Sequence, residues 1–229
     1  MVQTREEDKI HGSRGVIAQQ ILEYILSQQP HLREGDALPS QAQLCRQLHV
    51  SPGLLREALS ILETRGVIAI SPGRGGGIRV RQPSLAVMAR DLALLLRWNG
   101  STLREMVQAR LAIEAACLRI MAHDLRPATL TALEEACGDD FHHELVASVH
   151  NTVLLHMFES LRQALNDMLG KRRCMNRTER QDRILAHRMI CLALSEGLLE
   201  LAERRLRTHL EAYLQYLQKE PMPEELTEV

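Results

Sequence analysis

Aromatic side chains are scarce in this chain: one Trp, three Tyr and two Phe make up 3% of its 229 residues. Long apolar runs are missing too. The most apolar short stretch, LALLL at 92–96, is far too short to cross a bilayer, and residues 1–9 are too charged for a signal peptide. No repeat or low-complexity segment occurs, and net charge is nearly absent, with 28 basic against 29 acidic side chains. The five cysteines, at 45, 117, 137, 174 and 191, are odd in number and form no C-x-x-C pair. That argues against a disulfide framework and for structural thiols in a reducing cytosol. The expectation is a cytoplasmic protein with no membrane partner.

What is present is an ordinary globular composition, 45% hydrophobic and 25% charged, long enough for one large domain or two modest ones. Charge is unevenly placed. Between Arg46 and Arg81 six arginines (46, 56, 65, 74, 79, 81) face only Glu57 and Glu63. A basic patch in a neutral chain implies a localised anionic partner.

The pattern around that patch is specific. Val16, Ile17, Ile21, Leu22, Ile25 and Leu26 form a helical stripe ending near Gln29-Pro30. Ser40 caps a short helix through Leu48. Ser51-Pro52 opens the next, with Ser as N-cap and Pro where its missing N–H costs nothing. Leu54, Leu55, Ala58, Leu59, Ile61 and Leu62 form its buried face, and Gly66 ends it. VIAIS and GIRVR then read as two strands joined by a glycine run. Three helices and a hairpin make a winged helix-turn-helix. After the linker Gln82-Pro83-Ser84 every stretch reads as helix, at about 102–123, 128–137, 139–150, 152–169, 178–195 and 198–219. The fold class expected is mainly α: residues 1–82 a winged helix-turn-helix, residues 83–229 an all-α bundle.

The glycine run SPGRGGGIRV lacks the Lys-Ser/Thr of a nucleotide loop and leads into a strand rather than a helix. It reads either as a plain hairpin turn or as a wing. As a wing, Gly75 and Gly76 let the backbone approach DNA while Arg74 and Arg79 meet phosphates or enter the minor groove.

The segment LPSQAQLCRQLHVSPGLLREALSILETRGVIAISPGRGGGIRV resembles the DNA-binding domain of GntR-type bacterial transcription regulators, over about residues 14–81. REAL, the turn and the wing fall in register with that family. The resemblance implies that Ser51, Gly53 and Arg56, near the start of the second helix of the motif, contact DNA with the wing. Ala58 and Leu59 pack inward, so Arg56 projects from the groove-facing surface; Arg46 and Arg65 are further candidates. Two departures stand out. Ala42 and Pro52 occupy positions where the family commonly carries arginines that contact DNA, which implies weaker binding or a different operator.

In the second half, CGDDFHHELVASVHN (137–151) places Asp139 and His143 four apart, hence on one face of a helix. His187 and His209 sit within apolar stripes of later helices. Such a set is either hydrogen-bonded in the core or satisfied by a divalent cation. The FadR-type branch of the GntR family carries a helical (FCD) effector domain with D-x-x-x-H and then single histidines on the last two long helices. By that resemblance Asp139, His143, His187 and His209 are metal ligands. Three imidazoles and a carboxylate favour Zn or Ni. The family fills open positions on the ion with a small organic acid, which casts Arg110, in R-x-x-x-E, as the grip on its carboxylate; an Arg110–Glu114 helix pair is the alternative. His150, two turns past His143, is placed at the same pocket. Only eleven residues separate Pro127 from Asp139, so the bundle is shorter than the family's by roughly one element.

These readings converge on a homodimeric regulator that binds double-stranded operator DNA, a repressor by family habit, controlled by an acid bound at a metal. Two alternatives stay open: a metal-free regulator with another ligand, and a helical metal hydrolase suggested by His123-Asp124. The second lacks the upstream His and later Asp that such a signature needs.

Overall fold

The structure, a computed structural model, describes residues 4–28, 32–73, 76–169 and 175–219. Its contacts divide into two compact units, Met1–Val87 and Met88–Val229. In the first, α1 (Thr4–Ser27) packs on α3 (Pro52–Thr64), and α2 (Gln41–Leu48) lies against α3 as well. The caps are local devices. Ser40 and Gln43 form a capping box, and the Ser51 hydroxyl accepts from the Leu54 N–H at 3.3 Å with Pro52 at the first helical position. Gly66 leaves α3 with φ of 71°.

Strands β1 (Ile68–Ser71) and β2 (Gly77–Val80) pair antiparallel, Ile68 opposite Val80 and Ser71 opposite Gly77. The loop before α2 adds to the outer edge of β2, through Leu38 N–H to Ile78 O at 2.8 Å and Val80 N–H to Asp36 O at 2.9 Å. Ile17, Ile21 and Ile25 of α1 meet Leu55, Leu59 and Leu62 of α3 and the inward side chains Ile68, Ile78 and Val80 in one core. That core fixes which face of α3 is left exposed.

The second unit is all helix among its described residues: α4 (Leu85–Trp98, entered from the first unit), α5 (Leu103–Ala122), α6 (Pro127–Glu135), α7 (Phe141–Ala147), α8 (Thr152–Leu169), α9 (Arg177–Ser195) and α10 (Leu199–Lys219). Mainly α with a winged helix-turn-helix at the N-terminus is the class the pattern predicts. The last helix packs on both α9 and α5, and α7 is held between α5, α6 and α8. Cys117, Cys137, Phe141, Leu145, Phe158, Ile190, Leu206 and Leu210 lie in the core. Cysteines 45, 117, 137 and 191 are free thiols. No helix among the described residues is long and apolar enough to cross a membrane.

One helix differs from the expectation. The stretch predicted as helical over 139–150 is helical only from Phe141 to Ala147. Residues before it turn. After it His150 takes a left-handed φ of 51°, because Asn151 must leave the helix to cap α8, its side-chain oxygen accepting from the N–H groups of Val153 and Leu154 at 3.0 and 3.1 Å.

Candidate nucleic-acid face and histidine centre

The helix-turn-helix presents the N-terminal end of α3 to solvent. Ser51, Pro52, Gly53, Arg56, Glu57 and Ser60 are exposed, while Leu55, Ala58 and Leu59 are buried on the opposite side. Arg56 folds back along its helix, Nε donating to the Pro52 carbonyl at 3.3 Å, and stays exposed. Arg46 is exposed in the last turn of α2. Arg79 is committed locally: its Nη1 donates to the Gly35 carbonyl at 2.9 Å and ties the loop before α2 to β2. At the hairpin tip Gly76 is obligatory, since a Cβ there would lie 2.2 Å from the Ser71 carbonyl oxygen. Arg74 and Gly75 lie outside the described residues.

In the helical unit three imidazoles converge. His142 on α7 and His187 on α9 each place Nε2 at 3.1 Å from Nε2 of His209 on α10. The other ring nitrogens decide the tautomers. His187 Nδ1 lies 2.8 Å from the Cys137 carbonyl, an acceptor only, so Nδ1 carries the proton and Nε2 presents a lone pair. His142 Nδ1 lies 2.6 Å from a Glu114 carboxylate oxygen, which fixes the same tautomer. Two lone pairs therefore meet His209 Nε2, whose single proton can satisfy one of them. Protonating the rings is no remedy. Burial pushes His187 down to about 3 and His209 down to about 2, and lowers His142 as well. The donors of all three residues lie within 4.8 Å of one another, so the trio can hold a metal ion.

Behind the trio stands a buried ionic chain. Glu114, with no exposed surface, accepts from Arg110 Nε and from His142, both at 2.6 Å. Burial alone would raise its carboxyl; His142 and Arg110 outweigh that and hold it at about 2. The Arg110 guanidinium lies 5.6 Å from the ring centres of Phe158 and Tyr213. His142 and His209 line a cavity of about 940 Å³, whose walls also include Arg110, His143, Arg162, Arg183, Thr208 and Tyr216, while His187 lies buried behind them. That volume lies within the range of small-molecule sites.

Comparison with known proteins resolves the family. The signature of bacterial regulatory proteins of the gntR family matches residues 14–78. An uncharacterised HTH-type transcriptional regulator, YcbG of Bacillus subtilis (strain 168), is 32% identical over 165 residues, covering 65% of this chain and 69% of its own. The chain belongs to the GntR family. It is also similar to the Glc operon transcriptional activator of Escherichia coli (strain K12), 26% identical over 206 residues and 78% and 79% of the two chains. Among solved structures, Streptococcus agalactiae GntR shares the fold, with a TM-score of 0.65 over 89% of this chain and 99% of that one at 20% identity. This GntR-family chain is therefore a DNA-binding transcriptional regulator and not an enzyme, which removes the hydrolase alternative. His123 and Asp124, on which that alternative stood, are exposed at the end of α5.

In this GntR-family chain the tertiary arrangement of the expected metal ligands departs from the spacing argument. His187 and His209 do come together, but the third imidazole is His142. Asp139 and His143 are not on one helix face, because α7 begins only at Phe141. Asp139 lies in the preceding turn, largely exposed, and accepts from Arg183 Nη2. His143 turns instead to Glu159, Nδ1 to Oε1 at 2.8 Å, and Glu159 also accepts from Nε and Nη2 of Arg162. His150 is exposed beyond the end of α7, with Nε2 3.3 Å from Arg126 Nη2, and is not among the cavity walls. Arg110 forms the i, i+4 pair with Glu114 that its alternative reading describes, and it also lines the cavity.

Sequence reasoning missed His142 and the role of Glu114. A signal for His142 existed. Phe141 with Leu145 and His142 with Val146 are two i, i+4 pairs, all four buried, and they define the inner face of α7. Nothing local marks Glu114 as the partner of a ring 28 residues away.

Proposed function

We propose that this regulator belongs to the FadR-type branch, its helical unit an FCD-like effector domain, and that a small carboxylate bound at a divalent metal controls its hold on operator DNA. The observation that carries the reading is the convergence of three Nε2 atoms, two of them fixed as lone-pair donors by Glu114 and the Cys137 carbonyl. The donor set fits a metal: all-imidazole coordination suits Zn or Ni better than Mg or Ca. Bound there, the ion supplies a Lewis-acidic anchor for an anionic ligand. The protein's own part is to hold the rings. Glu114 orients His142 and keeps its Nδ1 protonated, the outer-shell role that sets ligand basicity. Arg110, whose terminal nitrogens make no hydrogen bond among the described residues, stands by as a fork for the carboxylate.

On the DNA side, the reading has α3 enter the major groove through Ser51, Gly53 and Arg56, with Arg46 and the Gly75–Gly76 tip, including Arg74, against phosphates. Arg79 serves as the strut of the wing. The regulator acts in the cytoplasm as a homodimer on a near-palindromic site, and as a repressor. The Glc operon relative is an activator by name, so transcription from a promoter bearing a selected operator, with and without the protein, measures the sign.

Elemental analysis of the purified full chain tests the metal. The expected result is about one Zn or Ni per chain, lost in His209→Ala, and a melting temperature that drops on chelation. A chain without stoichiometric metal, whose melting ignores the chelator, returns the choice to the metal-free regulator.

A further inference from the structure

Arg183 holds a place that the histidine site does not explain. It stands on α9 four residues before His187, so it enters the cavity one turn from that imidazole. Its Nη2 donates to Asp139, while its Nε is buried and finds no acceptor. Among the described residues it is the one buried side-chain nitrogen or oxygen left in that state.

The geometry of guanidinium makes this informative. The Nε–H and one Nη–H point the same way and form the edge on which a carboxylate seats both oxygens. On two other arginines of this unit that edge is full: Arg119 places Nε and Nη2 on Glu203, and Arg162 places the same two atoms on Glu159. On Arg183 it is half full. Its partner is also loosely held, since the Asp139 side chain is 76% exposed and sits in a turn.

Arg110 reaches the same cavity from α5, and both α5 and α9 pack on α10, which carries His209. The cavity is thus offered the terminal nitrogens of Arg110 and the half-filled edge of Arg183, from different helices. A volume of about 940 Å³ far exceeds a two- or three-carbon acid. Asp140 and Asp182, also in the walls, are acceptors that suit hydroxyl groups and not further anions.

We infer that the effector is a hydroxylated dicarboxylic acid, one carboxylate seated at the three histidines and Arg110 and the other filling the Nε–Nη2 edge of Arg183 in place of Asp139. The inference rests on the reading of the histidines as the effector site. It assigns Arg183 and Asp139 to specificity, not to metal binding.

The test uses the full-length protein loaded with Zn and three matched pairs that differ only in the terminal carbon: tartrate against threonate, xylarate against xylonate, and glucarate against gluconate. Isothermal titration should find at least one diacid bound tenfold or more tighter than its monoacid. In Arg183→Gln that preference should fall below threefold, with monoacid affinity changed less than threefold. Asp139→Asn, which removes the competing carboxylate and leaves the fork intact, should tighten the diacid. If no diacid binds, if no pair reaches tenfold, or if the preference survives in Arg183→Gln, the inference is overturned. Repeating the titration after chelation separates the two readings. A preference that needs Arg183 but survives removal of the metal keeps the dicarboxylate and sinks the metal-dependent site.

Discussion

Replacing Glu114 with Gln tests the histidine centre where its logic is tightest. The substitution keeps size and shape but removes the charge that Arg110 and His142 share at 2.6 Å each, in a place with no exposure. Two losses follow, and they are separable. Arg110, 8% exposed, is left as a buried cation without its carboxylate. Breaking a buried pair by removing one partner costs about 3–5 kcal/mol. In a unit of this size that is a fall in melting temperature of roughly 10 °C. The second loss concerns the ring. The amide oxygen of Gln serves Arg110 and its N–H₂ then faces His142 Nδ1, which must become the acceptor. The proton moves to Nε2, and His142 can no longer offer a lone pair to the site. Loss of an outer-shell carboxylate of this kind lowers metal affinity by about 10–100-fold. The assay is a competitive Zn titration well below the melting point, with circular dichroism verifying that the helices persist. A folded Glu114→Gln protein whose Zn affinity stays within threefold of the parent would refute the tautomer argument.

Three further outcomes follow from the same geometry. His187 and His209 have folded pKa values of about 3 and about 2, below the free imidazole value, so their contribution is complete above about pH 6.5 and is lost as pH falls below it. At pH 5 each costs about 2 kcal/mol, so chelated protein should melt progressively lower from pH 7 to pH 5; a flat profile would mean the rings are not buried as described. Gly76→Ala puts a methyl 2.2 Å from the Ser71 carbonyl and should destabilise the hairpin by about 1–3 kcal/mol, read as faster amide exchange in β1 and β2. Arg56→Ala should weaken binding to a selected operator about tenfold, as one lost specific contact of about 1–3 kcal/mol, with no change in melting; equal binding in a gel-shift titration would remove α3 from the groove.

Most of the first unit was legible because its determinants are local. Ser51 with Pro52, the Ser40–Gln43 box and the glycines at the hairpin tip each act within four residues, and α3 buries Leu55, Ala58 and Leu59 at helical spacing. The box at Thr102 and Glu105 announces α5 in the same way. His187 and His209 were readable as inward residues because each lies within a long apolar stripe of a helix whose phase is unambiguous.

Tertiary structure decided the rest. On a helix of seven residues the rotational phase depends on where the first turn starts, and each residue of slippage turns the face by about 100°. Spacing from Asp139 favoured His143 over its neighbour His142, because it assumed a helix already running at Asp139. Packing of Phe141, fully buried with its ring 4.3 Å from that of His187, sets the phase that turns His142 inward and sends His143 to Glu159. A carboxylate on α5 then selects the nitrogen that His142 presents. That choice joins residues 28 apart, and it exists only once α5 and α7 are packed together.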